Sequence, residues 1–263
     1  MSKGTSTKTQ KEIAKGELLN CVMNCYLSNL KVAISENARF VFYSFRLNEH
    51  ESTLMACCCK VICGGCHYAN LMREAQGSLD STCAFCRQPR PKSKEDFDMC
   101  LMRRVAANDP FALCQMGANR RNEEDYDGAF EYWAKAAALG DAAAHCGLSD
   151  MYRNGEGFEK DEKKALHHLE QAAIGGHPFA RNNLGVLEER KGRIDRAVKH
   201  WIIAAKLGDD LSLESIKGCF TAGLISKDVF AEALRACQAA IDETKSPQRE
   251  AAVQKLNAAG IAR

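Results

Sequence analysis

The sequence lacks an excess of charge of either sign, and it also lacks long apolar runs. Its 36 basic residues are balanced by 34 acidic ones, which leaves a formal net charge of +2. This balance supplies no concentrated positive surface for a nucleic-acid backbone or an anionic membrane, so we expect neither as a partner. The apolar runs fall well short of the roughly 18 to 20 residues that a membrane helix requires.

Motifs that would export the chain or define a classical enzyme are also missing. Glu12 and Glu17 lie where the apolar core of a signal peptide would be, so we expect an intracellular protein, either cytoplasmic or nuclear. The sequence has no phosphate-binding glycine loop and no catalytic arrangement of Ser, His and Asp. These absences favour a binding protein over an enzyme with its own nucleophile.

Cysteine, in contrast, is abundant. The chain has 14 cysteines, and seven of them lie between Cys57 and Cys86. In a reducing compartment such thiols indicate metal binding, redox chemistry or packing rather than structural disulfides. Five others are scattered through helical sequence and are interpreted as small buried hydrophobic residues: Cys100, Cys114, Cys146, Cys219 and Cys237. The clustered cysteines are therefore the candidates for chemistry.

Two CxxC pairs stand out within the cluster. Cys63 and Cys66 form the earlier pair, and Cys83 and Cys86 form the later pair after sixteen intervening residues. Each CxxC turn lets two thiolates reach one ion, so two pairs at this spacing predict a zinc site of four cysteines. CGGCH also matches a haem-attachment motif and CGGC a dithiol redox motif. The surrounding sequence lacks the exported setting of the first and the strand and helix context of the second.

The second half of the chain is repetitive. Three units align from about residue 109, with spacings of 36 and 32 residues between their closing glycines, Gly140, Gly176 and Gly208. Alanines recur where two helices would approach closely, and Trp133 and Trp201 occupy equivalent positions. Each unit predicts a helical hairpin that cannot bury its apolar face alone, so neighbouring units should stack into a solenoid. A fourth, less regular unit should cap the stack.

The second unit, with its loop YRNGEGFEKDEKKA, resembles the Sel-one-like repeats, which are related to the tetratricopeptide solenoids. The matching residues are Leu148, Tyr152, Gly155, Gly157, Asp161, Lys164, Ala165, Ala172, Ala173 and Gly176. The resemblance covers about residues 109–240 and departs in the first unit, where RRNEEDY replaces the glycine loop. It implies a scaffold whose concave face binds a protein client.

The order of the cysteines resembles the second half of a RING finger, in which eight ligands hold two zinc ions in a cross-brace. The resemblance matches Cys58 to the third ligand and Lys60 to the position of the usual histidine. It matches the last four ligands to the two CxxC pairs, Cys63, Cys66, Cys83 and Cys86. The first RING pair should lie near residues 38–41, where the sequence has no cysteine.

These departures decide how many zinc ions the resemblance implies. In a cross-brace, the pair at Cys63 shares its zinc with the missing residues, which leaves that site two ligands. The pair at Cys83 shares its zinc with Cys58 and the position of Lys60, which leaves three. A lysine ammonium must lose a proton before it can bind a metal, so a neighbouring cysteine is the better fourth ligand. Cys57 and Cys59 are the candidates to complete the site of Cys83 and Cys86. An upstream pair, Cys21 and Cys25, is the candidate to complete the site of Cys63 and Cys66. We expect one zinc ion rather than two.

A RING finger docks a ubiquitin-conjugating enzyme and positions the ubiquitin thioester without a nucleophile of its own. The resemblance implies three partner-binding residues in this chain, Phe85, Arg87 and Pro89. Two functions remain open. One is a zinc-binding adaptor, in which the solenoid binds a client and the RING-like module contacts a second partner. The other is a RING-type ubiquitin ligase that uses the solenoid to recruit its substrate.

We therefore expect a mainly α-helical protein, an α-solenoid of helical hairpins preceded by a small zinc-stabilised RING-like module. The expected parts are an N-terminal helical or flexible segment (1–37), the degenerate RING-like module (38–92), a helical linker (93–108), the repeats (109–240) and a C-terminal helix or tail (241–263). The repeats are expected at about 109–140, 141–176, 177–208 and 209–240.

Overall fold

A computed structural model of the 263-residue chain describes residues 52–77 and 80–244, together with residues 247, 250, 251 and 254. The expected N-terminal segment, the region near residues 38–41 and the upstream pair Cys21 and Cys25 lie outside the described residues. The chain divides into two compact units, one that contains the cysteine cluster and one that contains the repeats. No described helix is long and apolar enough to cross a membrane.

The cysteine module begins with a β-hairpin and a helix. Strands β1 (Ser52–Met55) and β2 (Lys60–Cys63) pair in antiparallel fashion, with Met55 opposite Lys60. Helix α1 (Gly64–Gly77) follows β2 directly. The hairpin turn thus falls on residues 56–59, which include three consecutive cysteines.

A second loop completes the module. A bridge between Thr82 and Pro89 closes this loop. The core of the module is small and consists of Met55, Ile62, Cys66, Cys83 and Ala84. A core of this size supplies little apolar burial, so a module of this kind depends on additional cross-links for its stability.

Helix α2 (Lys94–Ala106) lies within the segment expected as a linker. Four helical hairpins follow: α3 (Pro110–Asn122) with α4 (Tyr126–Ala138), α5 (Ala142–Asn154) with α6 (Glu162–Ile174), α7 (Pro178–Arg190) with α8 (Ile194–Lys206), and α9 (Asp210–Thr221) with α10 (Lys227–Thr244). The mainly helical solenoid expected from the sequence is confirmed. The last helix continues past residue 240, where we expected the repeats to end.

The ends of the helices explain the spacing of the repeats. The first helix of each hairpin begins at a side chain that accepts a hydrogen bond from its free N–H groups, at Asp109, Asp141, His177 and Asp209. Three hairpins close at a left-handed glycine, Gly140, Gly176 and Gly208, with φ of 84°, 82° and 96°. Only glycine adopts this conformation without strain, which is why these positions marked the units.

The first hairpin forms without the glycine loop of the second. Its connection from α3 to α4 uses Glu124, an exposed residue with φ of 61°. The third hairpin places Gly192 at the equivalent position, with φ of 73°. The first unit therefore forms a hairpin although it departs from the glycine loop, and a strained glutamate takes the place of a glycine.

Each tryptophan fills a space left by glycines. Trp133 lies so close to Gly117 and Gly147 that a Cβ atom at these positions would meet its ring at 2.5 Å and 2.7 Å. Trp201 lies against Gly185 in the same way, at 2.5 Å. Both indoles are buried, so the equivalence of the two tryptophans reflects a repeated packing of a large ring on a bare backbone.

Neighbouring hairpins are also joined by polar contacts. Arg121 donates two hydrogen bonds to the carboxylate of Glu156, each of 2.7 Å. Further along, the amide of Asn182 donates to Asp209 at 2.9 Å and to Ser212 at 2.7 Å. These contacts fix the rotation of each hairpin on the next, because each one links a residue of one hairpin to the loop or helix start of the following hairpin.

The third hairpin starts at a buried histidine, which gives the solenoid a predictable pH dependence. His177 is 7% exposed, and its Nδ1 atom accepts a hydrogen bond from the N–H of Ala180 at 3.4 Å. Burial lowers the pKa of His177 to about 4, and burial is also the main cause that lowers the pKa of His168 to about 4. Between pH 6.5 and pH 4 the unfolded chain therefore binds protons that the folded chain does not, so stability falls as pH falls.

We expect the solenoid to lose about 3 kcal/mol of unfolding free energy through His177 as the pH decreases from about 7 to about 4. The unfolding free energy should not depend on His177 above the pKa of an unfolded histidine. It should stop falling below the pKa of His177 in the folded chain. Urea unfolding of the native chain and of His177→Asn measures it, because asparagine keeps a capping oxygen but does not titrate. An equal pH dependence in the two chains would contradict this assignment.

Candidate metal centre

Four cysteines of the cysteine module place their sulfur atoms within 4.8 Å of one another, and these are Cys57, Cys58, Cys83 and Cys86. The sulfurs of Cys58 and Cys83 are 3.7 Å apart, and those of Cys57 and Cys86 are 3.3 Å apart. Four sulfurs at about 2.3 Å from a tetrahedral zinc ion would lie roughly 3.8 Å from one another. The group therefore has nearly the size of a four-thiolate zinc site.

The first two sulfurs come from the turn of the β-hairpin. The N–H of Cys58 donates to the carbonyl of Met55 at 3.1 Å, and Cys59 has a left-handed backbone with φ of 50°. In an extended strand, adjacent side chains point to opposite faces. The turn removes this alternation, so Cys57 and Cys58 both direct their sulfurs to the same point.

The other two sulfurs come from the second loop. The N–H of Cys83 donates to the carbonyl of Gln88 at 2.8 Å, and the N–H of Arg87 donates to the carbonyl of Cys83 at 3.1 Å. The N–H of Phe85 donates to the sulfur of Cys83 at 3.4 Å. Arg87 has φ of 62°, which turns the chain away after Cys86. The backbone thus supplies positive dipoles to a sulfur that would carry negative charge.

The electrostatics of the group favour one thiolate among the four thiols. The hydrogen bond from Cys58 is the main cause that lowers the pKa of Cys83 to about 4, with help from backbone N–H groups. Burial is the main cause that raises the pKa of Cys57 to about 12, and the hydrogen bond to Cys83 raises the pKa of Cys58. Four thiolates at these distances repel one another unless a cation lies among them.

A buried glutamate holds the second loop in place. Glu74 of α1 is 6% exposed, and its carboxylate accepts the N–H of Thr82 at 3.1 Å and the amide of Asn70 at 2.8 Å. Arg90 donates to the same carboxylate at 2.5 Å and to the hydroxyl of Ser81 at 2.6 Å. Both ends of the loop are therefore tied to α1. The sequence alone does not single out Glu74, because a single acid in a helix resembles any surface residue.

Glu74→Gln is expected to lower the unfolding free energy of the cysteine module by about 2 kcal/mol, because the half-buried guanidinium of Arg90 loses its countercharge. The change should appear as faster hydrogen exchange of the amides of Cys83 and Arg87. Glu95→Gln, at an exposed acid of α2, is the matched control and should leave these amides unchanged. Equal protection in both variants would show that Glu74 does not position the loop.

The structure brings together three of the cysteines predicted as metal ligands, Cys58, Cys83 and Cys86. Cys57, expected as a substitute, joins them. Within the described residues, Cys59 and Cys66 are not members of this group; Cys66 is fully buried in the core of the module. The side chain of Cys63 lies outside the described part of the chain.

The residues implied as partner contacts lie around the second loop. Phe85 is half-buried and packs against the core of the module, whereas Arg87 and Pro89 are exposed. Lys60, at the position of the usual RING histidine, is exposed and places its ammonium 5.5 Å from the centre of the Phe85 ring. This lysine thus contacts an aromatic face next to the sulfurs.

The histidines of the second repeat form a pair. The Nδ1 atoms of His145 and His168 are 3.0 Å apart, and the ring of Tyr152 stacks on His168 with centroids 5.6 Å apart. In the part of the chain that the structure describes, no group of three or more metal-binding side chains includes them. The geometry is that of a hydrogen bond between two half-buried rings.

Comparison with known proteins identifies the repeats. The Sel1 repeat family model matches residues 110–141, 142–177 and 178–209, so the chain contains three Sel1 repeats. The fourth hairpin lies beyond these matches. No RING or zinc-finger family model matches the chain.

One curated relative is chitin synthase regulatory factor 4 of Schizosaccharomyces pombe, 30% identical over 86 residues. The match covers 32% of this chain and spans only 14% of the length of that relative. A Sel1 repeat protein of Oxalobacter formigenes matches with 26% identity and a TM-score of 0.41, over 46% of this chain and 96% of its own. A protective antigen of uropathogenic Escherichia coli with an SLR fold matches with 25% identity and a TM-score of 0.42, over 64% of this chain and 37% of its own.

Proposed function

We propose that this protein is a zinc-binding adaptor between two protein partners. The Sel1 repeats bind a protein client, and the cysteine module, cross-linked by one zinc ion, contacts a second partner. The observation that carries the zinc site is the convergence of four cysteine sulfurs within 4.8 Å. Zinc bound there would join the hairpin turn to the second loop, and its role would be structural.

The two parts of the proposal have separate support. A solenoid of Sel1 repeats offers a continuous surface built from successive hairpins, which suits the binding of another protein. The fission-yeast relative is named as a regulatory factor, and a regulatory role exerted through binding agrees with a chain without a classical catalytic motif. On the cysteine module, Phe85, Arg87 and Pro89 would contact the second partner.

The adaptor is favoured over a RING-type ubiquitin ligase by the arrangement of the ligands. The described residues contain one group of four sulfurs, and its fourth member is Cys57 rather than a residue at the RING histidine position. A cross-brace would need a second complete set of ligands. A ubiquitin-conjugating enzyme is thus the partner of the alternative function, not of the proposed one.

Elemental analysis of the purified full chain tests the proposal. We expect one zinc ion per chain, lost in Cys83→Ala and retained in Cys100→Ser, a control cysteine outside the group. Two zinc ions per chain would contradict the single site and favour the ligase, which a ubiquitin-transfer assay would then examine. The absence of zinc from the native chain would overturn the metal centre.

A further inference from the structure

A cavity of about 270 Å³ lies at the junction of the first two repeats. It is lined by α3, by one indole of α4 and by the start of α5, through Phe111, Cys114, Gln115, Ala118, Trp133, Asp141 and Ala143. Its walls are largely apolar, and Asp141 carries the only charge in this lining. Sites for drug-sized molecules usually exceed about 300 Å³, so this cavity suits a single side chain better.

Asp141 has structural partners but no countercharge. Its carboxylate caps α5 by accepting the N–H of Ala144 at 2.8 Å, and it also accepts a hydrogen bond from the thiol of Cys114. Among the described residues, no lysine or arginine forms an ion pair with it. Three other aspartates that cap helices of the solenoid do have such a partner: Asp109 pairs with Arg104, Asp125 with Arg120 and Asp161 with Lys164.

The setting of this carboxylate is unfavourable for its charge. Burial is the main cause that raises the pKa of Asp141, and the nearby charge of Asp109 raises it further, while hydrogen bonds from the N–H of Ala144 and the thiol of Cys114 offset part of this rise. A half-buried carboxylate without a cation is destabilised by its partial loss of water, and a positive group brought into contact with it offsets that loss. The cavity beside Asp141 is where such a group would fit.

This combination occurs at the first junction and not at the next two. The residue equivalent to Asp141 at the second junction is His177, which is buried and lies 3.7 Å from the sulfur of Cys146. At the third junction it is Asp209, whose carboxylate already accepts the amide of Asn182 and the hydroxyl of Ser212. The repeats therefore differ in what they offer a partner, although their helices are equivalent.

We propose that the cavity binds one lysine or arginine side chain of the protein client. The aliphatic stem would lie against Phe111, Ala118 and Trp133, and the cation would meet the carboxylate of Asp141. Long basic side chains bury their methylene groups on apolar surfaces in this way while the charge meets a polar partner. The inference rests on the proposed client-binding role of the solenoid and specifies the chemistry of the client.

Selection of phage-displayed random peptides on the full chain tests this inference. We expect the enriched peptides to share a lysine or arginine at one position. Replacing that residue with norleucine, which keeps the stem and removes the charge, should weaken binding about tenfold or more. Asp141→Asn should weaken the binding of the basic peptide to a similar extent and leave the binding of the norleucine peptide unchanged. Both changes remove the same interaction, the one between the cation of the peptide and the carboxylate of Asp141.

The controls separate charge from folding. Asparagine caps helices about as well as aspartate and carries no charge to desolvate, so Asp141→Asn should unfold at the same temperature as the native chain or slightly above it. Asp161→Asn removes a capping charge outside the cavity and should bind the basic peptide like the native chain. Peptides that bind Asp141→Asn as tightly as the native chain would overturn the inference and leave the client-binding role intact. A failure to enrich any peptide would count against both, whatever the zinc content.

Discussion

Removal of zinc from the full chain is expected to unfold the cysteine module and to leave the solenoid helical. The four sulfurs join the hairpin turn to the second loop, and the buried core that would otherwise hold them is small. Structural zinc contributes about 10 kcal/mol or more in small zinc-binding peptides, which is more than such a core can replace. After chelation, hydrogen exchange should become fast in residues 80–92 and remain slow in residues 165–205.

Two controls make this result specific. Cys100→Ser, treated with the same chelator, should respond like the native chain, because Cys100 lies outside the four-sulfur group. Cys83→Ala should exchange rapidly in residues 80–92 even before chelation. If the amides of this loop remain protected after elemental analysis shows that the metal is gone, the core of the module is sufficient and zinc does not stabilise the fold.

Trp201→Ala should lower the unfolding free energy of the solenoid by about 4 kcal/mol. The indole is fully buried and packs with Ala197, Val198, Ile216 and Cys219. The cluster spans the third and fourth hairpins, so its loss should loosen the attachment of the last hairpin as well as the third repeat. Urea unfolding followed by circular dichroism measures the change.

The glycine beneath this ring provides a sharper test of the same packing. A Cβ atom at Gly185 would lie 2.5 Å from the Nε1 atom of Trp201, so Gly185→Ala should cost about 2 kcal/mol in the native chain. In Trp201→Ala the added methyl group would occupy vacated space, and the substitution should become neutral or stabilising. Gly218→Ala, which meets no atom within 4 Å, should stabilise α9 by up to about 1 kcal/mol. Additive effects of Gly185→Ala and Trp201→Ala would contradict this account.

The solenoid could be predicted from the sequence because the same physical requirement recurs in each repeat. Gly140, Gly176 and Gly208 all occupy left-handed positions, and the two tryptophans both pack on glycine. Because the pattern occurs three times in one sequence, the three copies can be compared with one another, and the positions that they share can be recognised. Glu124 shows the limit of this reasoning, since it adopts a left-handed backbone that its residue type does not reveal.

The metal centre could be predicted only in part. The spacing of Cys83 and Cys86 indicates two ligands on one turn, and the structure places them together. The two cysteines that face them, Cys57 and Cys58, are adjacent in sequence. The side chains of adjacent residues converge only when the backbone leaves the extended conformation. That bend depends on the turn at residues 56–59 and on the left-handed Cys59, neither of which a cysteine count can reveal.

Isolated acids were the least predictable functional residues. Glu74 and Asp141 are acids in amphipathic or capping positions, where exposed acids are common. Their roles depend on what the fold packs around them, a loop and an arginine for Glu74 and an apolar cavity for Asp141. Sequence patterns describe neighbours along the chain, and these environments are assembled from residues that are distant along it.

The residues that cap the helices of the solenoid also mark positions at which a whole repeat could be added or removed. Asp209 ends one repeat and also caps the first helix of the following hairpin. A tandem duplication of residues 178–209 would therefore begin its new helix after an aspartate and close at a glycine, with both helix ends already satisfied. Gain or loss of a whole repeat should therefore disturb the fold less than a shorter insertion, so the surface of the solenoid can lengthen in steps of one hairpin.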